Sequence, residues 1–111
     1  MTSRALQVHS MSVNEVRNIA VDMQGKLDTG ETLTGTPAVT EQTTTDLTIT
    51  NKAVNTAALT INRTSVAIGK AIQFTVDPAA ESDGRYTIYF SCSTSAGQTV
   101  DGEVVILISD H

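Results

Sequence analysis

The chain has 111 residues, 40% of them hydrophobic but only 4% aromatic, with no tryptophan and a formal charge of −5. That length suits one domain, and its core must be built from Val, Ile, Leu and Ala. The seven basic residues (Arg4, Arg17, Lys26, Lys52, Arg63, Lys70 and Arg85) are scattered and leave no footprint for nucleic acid, the single cysteine excludes an internal disulfide, and no run approaches the about 20 apolar residues of a membrane helix.

The opening MTSRALQVHSMSVNEVRN lacks the apolar stretch of a secretory leader, and with a lone cysteine it implies folding in a reducing compartment. Residues 1–13 are weakly patterned. They read as an N-terminal arm, either a frayed terminus or a segment ordered by a neighbouring subunit, with Val8 as its candidate contact. Residues 14–111 read as the folded domain. Val13, Val16 and Ala20 stand at helical spacing, but the stretch is short and runs into alternation, so it reads as strand or arm.

Threonine and the β-branched residues dominate the rest of the chain, which favours strands. Asn18 to Gln24 alternates through Ile19, Val21 and Met23 and reads as strand A; residues 25–30 form a loop. A strand from Glu31 to Val39 is interrupted near Gly35 and Pro37. Proline cannot donate into a ladder, so this is an edge, a bulge or a crossing point. After polar Thr43 to Thr45, Asp46 to Thr50 alternates through Leu47 and Ile49, and Asn51 to Asn55 reads as a turn. Ala57 to Ile61 alternates, Asn62-Arg63-Thr64 turns, and Ser65 to Ile68 is a short strand broken by Gly69. Ala71 to Val76 sets Ile72, Phe74 and Val76 on one face; Asp77-Pro78 stops it and residues 79–83 form a loop.

The last third is a long hairpin. Tyr86, Ile88, Phe90 and Cys92 share one face and Thr87, Tyr89, Ser91 and Ser93 the other, with Gly97 in the turn. Beyond it Val104, Ile106 and Ile108 share a face, while Val105 and Leu107 make the opposite side apolar too. That pattern fits either a covered strand or an exposed strip that meets a partner. Seven to eight short strands separated by turn residues imply a sandwich or barrel.

Chemistry is hard to find. His9 and His111 stand at the two ends of the chain, where supporting ligands are rare. Cys92 falls on the inward face, unlike a reactive thiol. The acid pairs Asp28/Glu31, Glu81/Asp83 and Asp101/Glu103 border turns, where carboxylates stay hydrated and satisfy backbone donors. No loop has the oxygen density for calcium. Asn62-Arg63-Thr64 matches a glycosylation acceptor without a secretory leader to give it a use. These observations predict no enzyme, metal or cofactor, but a scaffold or binding module.

Two resemblances sharpen that. Asp83-Gly84-Arg85-Tyr86 resembles the Asp-x-Gly-x-Tyr-x-Cys signature opening strand F of immunoglobulin domains, with Ile88 where the cysteine would stand. It implies an all-β, immunoglobulin-like β-sandwich of seven to eight antiparallel strands without a disulfide. Tyr86 would pin a corner through its hydroxyl, Gly84 would permit the tight entry, and Ile88 would fill the half-cystine's space, its burial worth about 2 kcal/mol. More widely, "SVNEVRNIAVDMQGKLDTGETLTGTPAVTE" and "GRYTIYFSCSTSAGQTVDGEVVILIS" are similar to the small immunoglobulin-like fiber-tail adaptors of tailed bacteriophages. The shared features are Val21-Asp22, the Leu27-Asp28-Thr29-Gly30-Glu31 turn, the Tyr86-Thr87-Ile88 strand, the turn from Thr94 to Thr99, and the final strand from Glu103 to Ile108. Many members carry a tryptophan in the strand after the Gly-Glu turn; here Val39 stands near that place.

The resemblance implies a virion structural protein, assembled in the host cytoplasm, that docks on the tail or connector and holds a fiber. It would act in multiple copies in a symmetric assembly, without nucleic acid or membrane. An immunoglobulin-like head decoration protein is the nearest rival. A carbohydrate-binding module is a weaker one, since only Tyr89 is a candidate stacking aromatic on the outer face.

Overall fold

The structure is a computed structural model, and it describes residues 7–12, 15–42, 47–61, 63–78 and 84–109, with residues 7 and 8 described through their backbone. These residues are all-β apart from a single 3-10 turn at Gln24–Lys26. They form β1 (Gln7–Ser12), β2 (Arg17–Asp22), β3 (Leu33–Glu41), β4 (Thr48–Val54), β5 (Leu59–Ile61), β6 (Thr64–Val66), β7 (Ala71–Asp77), β8 (Gly84–Thr94) and β9 (Thr99–Ser109).

Period-two alternation explains most of these strands. In β8 every second side chain from Tyr86 to Thr94 is buried, and in β7 Ile72, Phe74 and Val76 are closed to solvent. The four-stranded sheet runs β1-β9-β8-β3 and the three-stranded sheet β2-β7-β4, while β5 and β6 form a separate hairpin. The two larger sheets share one core in a sandwich-like arrangement. Ile19, Val21, Ile72, Phe74 and Val76 come from one layer, and Val39, Ile88, Phe90, Val104 and Ile106 from the other. β8 and β9 pair from Gly84↔Ile108 to Ser93↔Thr99 and form the backbone of the larger sheet.

Interruptions in the pattern have structural counterparts. The stretch around Gly35 and Pro37 is a register break between Thr34 and Ala38, on an edge strand where a missing N–H does no harm. Asn51 to Asn55, expected as a turn, mostly continues β4 to Val54. A second register break between Thr50 and Ala53, with Asn51 at φ 56, absorbs the irregularity.

The N-terminus differs from the sequence expectation. From Gln7 to Ser12 the expected arm is an edge strand of the domain's own sheet, running parallel to β9 from Gln7↔Val104 to Ser12↔Ser109. Met11 joins the core from it. The other ladders are antiparallel, so this one departs from the all-antiparallel expectation, and β1 adds a ninth strand to the eight legible as patterned segments. A six-residue strand in which Met11 is the one buried apolar residue among the described side chains carries too little periodicity to be recognised alone. Residues 1–6 and 13, the loop at 79–83 with Glu81 and Asp83, Thr43 to Thr45, Asn62 of the acceptor pattern and His111 lie outside the described residues.

Candidate functional site

The two turns that carry the wider resemblance, far apart in sequence, meet at one pole of the molecule. Glu31 is at the centre. Its carboxylate accepts from the backbone N–H of Asp28 (Oε1, 2.8 Å), while its own N–H donates to the Asp28 carbonyl (2.9 Å), closing the Asp28–Glu31 turn on itself. The other oxygen accepts from the hydroxyl of Thr94 at the end of β8. Thr94 Oγ1 in turn accepts from the N–H groups of Ala96 (3.3 Å) and Gln98 (3.2 Å), which uses its full hydroxyl capacity. Alongside, the Thr32 N–H donates to Ser95 Oγ (3.0 Å) and the Ser95 N–H to the Thr32 carbonyl (2.8 Å).

Glu31, expected as a hydrated turn acid, is instead 4% exposed. The Asp28 N–H, then the Thr94 hydroxyl, hold its carboxyl below the ordinary carboxylate range against the opposing effect of burial. Each of its two oxygens thus holds one protein donor. The sequence signal for this contact was Thr94 itself, a polar residue in the inward series Tyr86, Ile88, Phe90, Cys92.

A second polar hub sits beside the β5–β6 hairpin. Asn55, 2% exposed, donates from Nδ2 to the carbonyls of Ala57 (2.9 Å) and Ala67 (3.0 Å) and accepts at Oδ1 from the N–H groups of Lys70 (3.0 Å) and Ala71 (2.9 Å). One side chain thus ties the hairpin to the start of β7. Leu33 N–H donates to the Gly69 carbonyl (2.8 Å), and a Cβ at Gly69 would lie 3.2 Å from that of Thr32, so this hub adjoins the Glu31–Thr94 pole.

Tyr86 and Ile88 are buried on the core face of β8, Ile88 completely. Gly84 begins β8 at φ 139, a backbone conformation other residues rarely adopt, and Gly97 turns the β8–β9 hairpin at φ 79. The predicted contact strip is reduced. Val105 is 2% exposed and Leu107 39%. Val105 is not part of the core cluster and lies mid-sheet, paired with Thr87 on one side and with β1 on the other. The side chain of Val8, in register with Val105, lies outside the described residues.

Elsewhere the reactive groups are engaged. Cys92 is buried, its thiol donating to the Thr34 carbonyl (3.3 Å), and burial pushes its pKa up. Tyr89, partly exposed, donates its hydroxyl to Asp101 Oδ2 (2.7 Å). His9 is half-buried on β1, and burial, followed by the charge of Arg17, lowers its pKa. It lines a depression of about 310 Å³ between the β1 and β2 edges with Ser10, Met11, Val16, Arg17, Asn18 and Ile19. Among the described residues, no three His, Cys, Asp or Glu side chains are grouped to hold a metal ion. A scan against protein-family models and searches among curated proteins and solved structures match nothing.

Proposed function

We propose that this chain is a non-catalytic virion structural protein of a tailed bacteriophage, an adaptor that joins tail fibers to the tail or connector on an immunoglobulin-like sandwich. The observation that carries the proposal is the meeting of its two motif-bearing turns. Leu27–Glu31 and Thr94–Thr99 are joined through Glu31, Thr94, Thr32 and Ser95 into one built pole. Segments that resemble the adaptor family separately therefore form one surface together.

The immunoglobulin-like frame is supported by connectivity. If β2, β3, β4, β7, β8 and β9 stand for strands B, C, D, E, F and G, the orders β2-β7-β4 and β9-β8-β3 are the B-E-D and G-F-C layers of that fold. The strand read as A from the sequence then takes the place of B, and β1 lies beside G. Tyr86, buried at the start of the F-equivalent strand two residues after Gly84, suits the corner position. Such a frame presents a rigid pole to one partner and sheet edges to another, with the copies arranged around a symmetric particle.

Locating the protein in electron-microscopy density of the assembled particle tests the proposal. Copies at the tail collar, in contact with fiber density, are the expected result. Copies spread over the head would establish the decoration role instead, and a particle without the protein would refute both.

A further inference from the structure

Among the described residues β1 is fastened lightly. It ends the larger sheet, so β9 is its strand partner on one side only, and Met11 is the side chain it gives to the core cluster. The chain then passes directly to β2, an edge strand of the other sheet. Glu15 holds that connection. Its Oε1 accepts from the Ser12 N–H (2.8 Å), its own N–H donates to the Ser12 carbonyl (3.1 Å), and its Oε2 lies 3.8 Å from Arg17 Nη1. These contacts tie the end of β1 to the connection rather than to the sheet. Backbone polar groups alternate sides along a strand, so those of His9 and Met11 turn toward β9.

His9 sits at this lightly held place. Side chains alternate too, which puts His9 on Met11's side of β1, in register with the fully buried Ile106. It is half-buried, and with Arg17 it lines the depression of about 310 Å³ between the β1 and β2 edges. The charged groups around it are few. Arg17 comes from β2 and Glu15 from the connection, in a loose pair whose side chains are both half-exposed. β7 brings Asp77 next to Val76, the residue opposite Arg17. On that side β9 offers the apolar Val104, Ile106 and Ile108, and β8 the phenol of Tyr86 beyond them. Burial first, then the Arg17 charge, hold the His9 imidazole below its ordinary value, so the docked strand favours the neutral ring.

We infer that His9 is the trigger of an acid-sensitive latch: protonating its half-buried ring sets a second cation against Arg17 across the gap between the sheets, and β1 lifts off β9 while the rest of the sandwich stays folded. β1 goes first because its release gives up one ladder and, among the described side chains, Met11, whereas β2, β3, β4, β7, β8 and β9 keep the remaining core. Release leaves β9 as the sheet edge, with its groups from Val104 to Ser109 unpaired on that side. The folded-state value of His9 lies below the unfolded one. Its contribution is therefore fully present above 6.5 and is lost as pH falls through the folded value. Glu31 acts in a separate window, below 4.5. The latch goes beyond the virion role and does not depend on it.

Amide exchange of the full chain, read residue by residue by NMR from about pH 8 to about pH 5 and corrected for the intrinsic pH dependence of exchange, tests the latch together with titration of the imidazole resonances. In the wild type His9 should titrate below 6.5. The protection of the His9 and Met11 amides should fall by up to about tenfold per pH unit between the unfolded and folded values and then level off, while that of Ile88 and Phe90 in β8 stays constant. His9→Gln should abolish this pH dependence, and Arg17→Gln should raise the His9 value and weaken it. A wild-type His9 that titrates at or above 6.5, β1 amides whose protection is flat with pH or falls in step with Ile88 and Phe90, or a folded His9→Gln chain that keeps the wild-type dependence would each overturn the inference.

Discussion

Asn55→Ala is the most informative single change. The substitution deletes four hydrogen bonds at a site only 2% exposed. The worst consequence falls on the Ala71 N–H, since Ala71 is completely buried and its donor loses the side-chain acceptor without water to replace it. An unsatisfied buried group costs about 1–3 kcal/mol, and the three partly buried bonds lose about 0.5–1.5 kcal/mol each before water replaces some of that, for a total of about 3–5 kcal/mol. A domain of this size holds about 5–15 kcal/mol in all. At about 4 °C per kcal/mol, the midpoint of thermal unfolding should fall by about 12–20 °C, measured by circular dichroism. Amide exchange in β5 and β6 should accelerate most, because Asn55 is what fastens that hairpin. Asn55→Asp offers an internal check. It keeps an oxygen to accept from Lys70 and Ala71 but sets a second carboxylate oxygen, in place of the Nδ2 donor, against the carbonyls of Ala57 and Ala67, which raises its folded pKa. Its stability is therefore greatest below the unfolded carboxylate value and is lost as pH rises through the folded one. A midpoint for Asn55→Ala within a few degrees of wild type would refute the assignment of Asn55 as a hub (about 1 kcal/mol by the same conversion).

Three further tests address the pole, the core and the thiol. Because the folded-state pKa of Glu31 is depressed, its contribution is fully present above the ordinary value of 4.5 and fades as pH falls through the lower folded value; Glu31→Gln should flatten this acid limb of the unfolding midpoint against pH, and parallel profiles would count against the Glu31–Thr94 contact. At Gly102, a Cβ would lie 2.9 Å from Cε1 and Cζ of the buried Phe90 ring, so Gly102→Ala should destabilise by about 1–3 kcal/mol in urea unfolding. Adding Phe90→Leu should return part of that loss as a coupling energy, and strict additivity would argue against the contact. Cys92 should resist a thiol reagent in the native state and react at once in urea, since its sulfur is buried and its pKa raised; fast native labelling would contradict its placement.

Alternation and turn chemistry were enough to tell which residues face the core along β7, β8 and β9, where Gly97 turns the hairpin, and that Pro37 belongs to an edge or a bulge. These are local properties. A strand's burial repeats every second residue, and proline's missing donor acts wherever it stands. The folded chain was needed to show that Gln7–Ser12 is a strand, that Val105 is covered while Leu107 is not, and that Glu31 finds Thr94 and Asn55 finds Ala67 and Ala71. Each of these depends on a partner remote in the chain. A short edge strand is held by its neighbour's backbone, and a buried polar side chain is satisfied by whichever groups the fold brings to it, neither of which leaves a period in the sequence.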